Sequence, residues 1–171
     1  MGKIIALVNQ KGGVGKTTSS INLAASLGYL GKKVLLIDLD PQGNTTTGLG
    51  LDKGDVKKSI YDLLIGEATI KEVIKKTKFK NLYIIPATIS LAGVDIELME
   101  HSRLDPEFSK SKQLKIHLDT VKDIFDYIII DCPPSLGILT TNALTAANSV
   151  IIPVQCEFFA LVGIMQLLNS I

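Results

Sequence analysis

Cysteine, net charge and long apolar runs are all scarce in this chain. Only Cys132 and Cys156 occur, both in apolar contexts. That argues against a disulfide framework and for two reduced, buried thiols. Eighteen basic and seventeen acidic side chains leave a net charge of +1. No global basicity points to nucleic acid, so any DNA contact would need a local patch or residues beyond this sequence. No apolar run approaches the ~18 residues of a membrane span. Met1-Gly2-Lys3 leads directly into a strand pattern, so no signal peptide is expected. Met1-Gly2 formally opens a myristoylation pattern, but Ala6 stands where Ser or Thr is required. Internal repeats and low-complexity segments are also lacking. What remains is 46% hydrophobic and 20% charged composition over 171 residues, enough for one core and one domain, 1–171.

The most informative stretch is Asn9-Gln10-Lys11-Gly12-Gly13-Val14-Gly15-Lys16-Thr17-Thr18. Ile4 to Val8 before it reads as a buried parallel strand. A helical pattern over about 16–30 follows, with Leu23, Leu27 and Leu30 on one face and Gly31 as its stop. A strand, a glycine-rich turn ending in Gly-Lys-Thr and a helix make a phosphate-binding loop. Its glycines let successive backbone N–H groups point at an anion, and the helix N-terminus adds partial positive charge. Lys16 would reach the β- and γ-phosphates of a nucleotide, and the Thr17 hydroxyl would ligate Mg²⁺. The general pattern wants glycine at position 10. Here Gln10 stands there and Lys11 follows, so the loop carries two lysines.

Along the chain, Val34 to Asp38 is a second buried strand, closing a right-handed βαβ unit. Residues 38–50, rich in Gly, Thr and Asn, read as a long loop at that strand's carboxyl end, where open α/β sheets bind ligands. Asp38 and Asp40 are placed there for a metal or a water. Ser59 with Asp62 and Thr69 with Glu72 read as capping boxes of two short helices. Lys75, Lys76, Lys78 and Lys80 read as a solvated helix end. Leu82 to Pro86 is a third strand, and 90–102 looks helical. Residues 110–125 look like an amphipathic helix with Leu114, Leu118, Val121 and Phe125 on its stripe. Tyr127 to Asp131 is a fourth strand ending in an acid, which is what the second motif of a nucleotide hydrolase needs. The turn Cys132 to Gly137 follows, with Pro134 where GTPases place a γ-phosphate-sensing glycine. Proline has no N–H, so another donor, such as Gly137, would have to sense that phosphate. Thr141 to Ala147 reads as a short helix, Val150 to Val154 as a fifth strand, and a last helix starts near Ala160. His101 and His117 read as ordinary surface or boundary residues. The fold class is α/β: a P-loop NTPase with a mostly parallel twisted sheet and helices on both faces, incomplete at the C-terminus.

Three motifs make the sequence similar to the ParA/MinD family of deviant-Walker ATPases. Lys11 to Thr18 resembles its Walker A loop. Asp38-Leu39-Asp40-Pro41-Gln42-Gly43-Asn44 resembles its switch I, in the form of the chromosome- and plasmid-partitioning, ParA/Soj-like branch. Tyr127 to Gly137 resembles Walker B with switch II, and Pro153 to Leu161 also resembles that branch. Family members continue past residue 171, so the chain is expected to be an N-terminal fragment of a longer domain.

The resemblance implies ATP and Mg²⁺ as cofactors, with Lys11, Gly12, Gly13, Val14, Gly15, Lys16, Thr17 and Thr18 holding the nucleotide. It implies Thr17, Asp38 and Asp131 at the metal, Asp131 acting through a water and Asp38 from behind it. Lys11, Lys16 and Asp40 carry catalysis, Asp40 orienting the attacking water and Lys11 reaching across a homodimer to the other subunit's phosphates. The implied function is a slow, ATP-dependent dimerising switch ATPase of chromosome or plasmid partitioning, cytoplasmic and nucleoid-associated. It would be stimulated by a centromere-binding, ParB-like protein and bind non-specific DNA through the region beyond this chain. One alternative is a MinD-like ATPase positioning the division site at the membrane. An iron–sulfur electron-transfer protein like the nitrogenase iron protein fits less well, because Cys132 directly follows the metal-site Asp131. A nucleotide-dependent scaffold without turnover is a further class.

Overall fold

The computed structural model describes residues 2–155. Cys156 and the expected helix from Ala160 lie outside the described residues. In chain order the elements are β1 (Lys3–Leu7), α1 (Lys16–Tyr29), β2 (Val34–Asp38), α2 (Asn44–Gly48), α3 (Ile60–Leu64), α4 (Ile70–Val73), β3 (Lys75–Lys76), β4 (Leu82–Ile85), α5 (Val94–Leu104), α6 (Gln113–Asp119), β5 (Tyr127–Asp131), α7 (Ile138–Ala146) and β6 (Ser149–Ile151). Short 3-10 turns occupy Lys53–Asp55 and Ile89–Gly93.

The strands form one sheet in the order β3-β4-β2-β5-β1-β6. All pairings are parallel except that of β3 with β4. Near-continuous Val, Ile and Leu runs fit strands covered on both faces. Their alternation splits the core into two clusters. Ile4, Ala6, Leu35, Ile37, Ile128 and Ile130 face the helices after β2, whereas Leu7, Val34, Leu36 and Ile129 face α1. The mostly parallel α/β sheet with helices on both faces is therefore present as the sequence suggested.

Several local expectations need correction. The buried stripe of α1 is Lys16, Ser20, Ala24 and Gly28, while Leu30 is 73% exposed and Leu23 and Leu27 are half-buried. Small side chains at i, i+4 spacing let α1 lie close to its neighbours. A Cβ at Gly28 would collide with the Lys80 carbonyl oxygen. Part of the expected 38–50 loop is α2, which buries Thr45 and Thr46. Lys75 and Lys76 form an exposed antiparallel edge strand rather than a helix end, and edge lysines discourage pairing with another chain. The stripe Leu114, Leu118, Val121 and Phe125 is buried, but only Gln113–Asp119 is α-helical. Helix α7 starts earlier than expected and β6 is shorter. Both capping boxes form, Asp62 accepting from the Ser59 amide at 2.7 Å and Glu72 from the Thr69 amide at 2.7 Å.

Candidate functional site

The carboxyl ends of β1, β2 and β5 converge, because Leu7 and Asp38 are both in register with Asp131. Two aspartates thus sit side by side at the same sheet edge, beneath the loop that links β1 to α1. In that loop Gly13 and Gly15 have φ of 74° and 86°, a left-handed conformation that side-chain-bearing residues rarely adopt. A Cβ at Gly12, Gly13 or Gly15 would meet nothing within 4 Å, so the loop's open side faces free space. That space is a cavity of about 430 Å³ lined by Gly12, Gly13, Gly15, Lys16, Thr17 and Thr18 of the loop, with Asp40, Gln42, Asn44 and Pro134 opposite.

The loop is tied down at several points. The Asn9 side chain donates to the Pro153 carbonyl at 2.7 Å and accepts from the Lys11 amide at 2.9 Å. The Gln155 side chain donates to the Gly13 carbonyl at 3.1 Å. Lys16 is 7% exposed, and its ammonium donates to the Lys11 carbonyl at 3.2 Å. Burial lowers the Lys16 pKa, opposed by the negative charge of Asp131 and Asp40. Lys11 lies on the exposed rim of the same loop, and Val14 is buried behind it.

Asp131 organises three hydroxyls. It accepts from Thr17 Oγ1 at 2.8 Å, Thr45 Oγ1 at 2.6 Å and Ser20 Oγ at 3.1 Å. Burial raises its pKa against those hydrogen bonds. Asp38 is fully buried and accepts from the Thr46 amide at 2.8 Å, Thr46 Oγ1 at 2.7 Å and the Asp40 amide at 3.2 Å. Burial, helped by the nearby Asp131 charge, pushes its pKa up to about 6. Asp40 sits in a turn, its carboxylate accepting from the Gln42 amide at 2.9 Å and its carbonyl from Gly43 at 2.8 Å. The Lys53 ammonium closes this segment by donating to the Gln42 carbonyl at 2.7 Å.

These groups fit a nucleotide phosphate with Mg²⁺. The open glycine loop leaves room for phosphate oxygens against backbone N–H groups. The hydroxyl of Thr17 and the carboxylate of Asp131 form an oxygen-only donor set suited to a hard cation. Among the described residues no group of three or more His, Cys, Asp or Glu forms a metal cage.

Most residues singled out from the sequence therefore meet in one place. Asp38 and Asp131 lie behind the cavity wall rather than in it. Gly137 lines a separate groove with Asp95, Met99 and Lys110, so Pro134 is the part of that turn that faces the cavity beside the glycine loop. Sequence reasoning missed Ser20, Thr45 and Thr46, which fix the two acids, and gave no individual role to Gln42 and Asn44 of the switch I motif, which line the far wall. The Thr-rich stretch 45–47 is the signal the sequence offers; its helical turn in α2 carries the Thr45 and Thr46 hydroxyls to the two acids. Cys132 is buried and its thiol pKa is pushed up by burial, as expected of an inert core cysteine.

The sequence profile of a family described as an AAA domain matches residues 2–171. The chain is 59% identical to the sporulation initiation inhibitor protein Soj of Bacillus subtilis, over all of this chain and 65% of that protein. It is 54% identical to the chromosome-partitioning ATPase Soj of Treponema pallidum, over all of this chain and 64% of that one. In fold it is similar to the crystal structure of cobyrinic acid a,c-diamide synthase from Mycobacterium smegmatis with bound ATP analog and magnesium. There the TM-score is 0.91 at 40% identity, covering 99% of this chain and 65% of that chain. The chain thus spans a little under two thirds of the length of these relatives.

Proposed function

The chain belongs to this AAA-domain family, in its ParA/Soj-like branch, and from that premise we propose that it is the nucleotide-binding part of an ATP-dependent dimerising switch ATPase for chromosome or plasmid partitioning. The observation that carries the reading is the joining of Lys16, Thr17, Asp40 and Asp131 around one open glycine loop with a second lysine, Lys11, on its outer rim. Backbone N–H groups of 13–17 hold the phosphates, and Lys16 compensates their charge within one subunit. Thr17 and Asp131 would hold Mg²⁺, with Asp38 behind them. Mg²⁺, when bound, neutralises charge developing on the phosphate oxygens. Thr18 touches the α-phosphate, and Asp40 orients the attacking water.

Lys11 acts in trans on a second copy's phosphates. Comparable cationic fingers are worth about 10³–10⁵ in rate. A lysine supplies only a point charge and less geometric fit than an arginine, so its contribution lies at the low end. An isolated subunit therefore hydrolyses ATP slowly, as befits a switch. A centromere-binding, ParB-like protein stimulates it, and non-specific DNA is held by the region after residue 171. The protein works in the cytoplasm, on the nucleoid. No helix among the described residues is long and apolar enough to cross a membrane. A diamide synthase shares the fold, so the weight of this assignment rests on the two Soj relatives and on the switch I residues lining the cavity.

The test uses two variants. Lys16→Ala is expected to lose ATP binding in calorimetry, whereas Asp40→Ala binds ATP, dimerises and no longer turns over. Tight ATP binding by Lys16→Ala, or unchanged phosphate release by Asp40→Ala, contradicts the assignment.

A further inference from the structure

The lysine cluster that the nucleotide site leaves unused lies at the opposite end of α1. Helix α1 starts at Lys16 in the phosphate loop and ends at Tyr29, about 20 Å away for a helix of this length. Its end is docked on the turn between β3 and β4. The Asn81 side chain donates to the Gly28 carbonyl at 3.2 Å, and the absence of a Cβ at Gly28 lets the Lys80 backbone approach. The two segments thereby form one surface.

That surface is apolar at its centre and basic around it. Tyr29 is 80% exposed, Leu30 73% and Phe79 45%. Together with Ala25 and Ser26 they line an open groove of about 460 Å³. Lys32, Lys78 and Lys80 are exposed beside them, and Lys75 and Lys76 stand on the adjoining edge strand. Segments 25–33 and 74–83 carry six lysines and no Asp or Glu, in a chain whose net charge is only +1. Lys33 is engaged elsewhere, its ammonium 5.3 Å from the Phe125 ring centre. Contiguous exposed large apolar side chains signal an interaction site. A duplex phosphate backbone would use the lysines but gain nothing from Leu30. A bilayer interface uses both, taking the apolar tips below the headgroups and the ammonium groups among anionic lipids.

We propose that this face is a peripheral docking surface for an anionic lipid bilayer, with Tyr29, Leu30 and Phe79 entering the interface and Lys32, Lys78 and Lys80 pairing with headgroup phosphates. Its position leaves the nucleotide cavity open while the protein is docked. The proposal stands independently of the partitioning assignment.

The test is sedimentation of the full chain with phosphatidylglycerol/phosphatidylcholine vesicles. Salt-sensitive binding to these, and none to pure phosphatidylcholine, is expected. Leu30→Ser with Phe79→Ser should weaken it at least tenfold. Lys78→Glu with Lys80→Glu should weaken it at least about twentyfold. All four positions are exposed, and unchanged thermal melting by circular dichroism verifies folding. Three results overturn the proposal: no binding of the unaltered chain to anionic vesicles, binding that survives both double variants, or loss only in the lysine variant with duplex DNA displacing the vesicles. The last would mark a nucleic-acid surface instead.

Discussion

Strands β2 and β5 are alike along most of their length and different at one end. From Val34 to Ile37 and from Ile128 to Ile130 they bury aliphatic side chains on both faces. One residue later they place Asp38 beside Asp131, both out of water. The aliphatic middle stabilises the fold, each fully buried side chain contributing about 1.5–3 kcal/mol. The acidic end costs stability, since two like charges share a dry sheet edge. Five donors from Thr17, Ser20, Thr45 and Thr46 offset part of that cost. An end that opposes stability and is so fully hydrogen-bonded is consistent with a site shaped for a bound cation.

Truncating the apolar middle should have the largest effect. Ile129→Ala, at a position with no exposed surface, is expected to lower stability by about 2–5 kcal/mol in urea denaturation. A loss below 1 kcal/mol would show that the cluster under α1 contributes little.

The acidic end should respond in the opposite direction. With its native pKa raised to about 6, Asp38 takes up a proton more readily folded than unfolded. Its contribution is therefore best below about pH 4 and is lost as pH rises through 6, a total of about 3 kcal/mol. Asp38→Asn removes that slope. Above pH 7 it should gain about 1 kcal/mol, part of the benefit being lost where the new amide meets the donors that Asp38 accepts. Urea midpoints across pH 4–8 measure both quantities, and an unchanged slope would take Asp38 out of the explanation.

The smallest effect on stability is expected in the loop. Gly12 has no positive φ, and a Cβ there meets nothing within 4 Å. Gly12→Val should therefore change stability by no more than about 0.5 kcal/mol, while blocking ATP-dependent association by crowding the face that carries Lys11. A large loss of stability would instead give Gly12 a role within the subunit.

The same contrast explains what could be read from the sequence. Apolar runs ending in Asp38 and Asp131 reveal the strands and the site edge, because a parallel sheet aligns strand ends and periodicity is local information. The loop from Lys11 to Thr18 was equally legible, since its chemistry lies in consecutive residues. The partners of the acids were not. Ser20 donates to a carboxylate 111 positions away and Thr45 to one 86 positions away, and no spacing rule links such pairs. Leu30 misled because a leucine at helical spacing implies a core face, whereas α1 packs through Ser20, Ala24 and Gly28. The lysines at 75–80 misled because a two-residue edge strand is too short to show a period.

The proposal that two copies complete the site turns on Lys11 and is tested most directly by light scattering of Lys11→Ala with Mg²⁺-ATP. The variant is expected to bind ATP through Lys16 and remain monomeric, whereas the unaltered chain is expected to dimerise at the same concentration. An ATP-dependent dimer of Lys11→Ala would contradict the role of Lys11 across the interface.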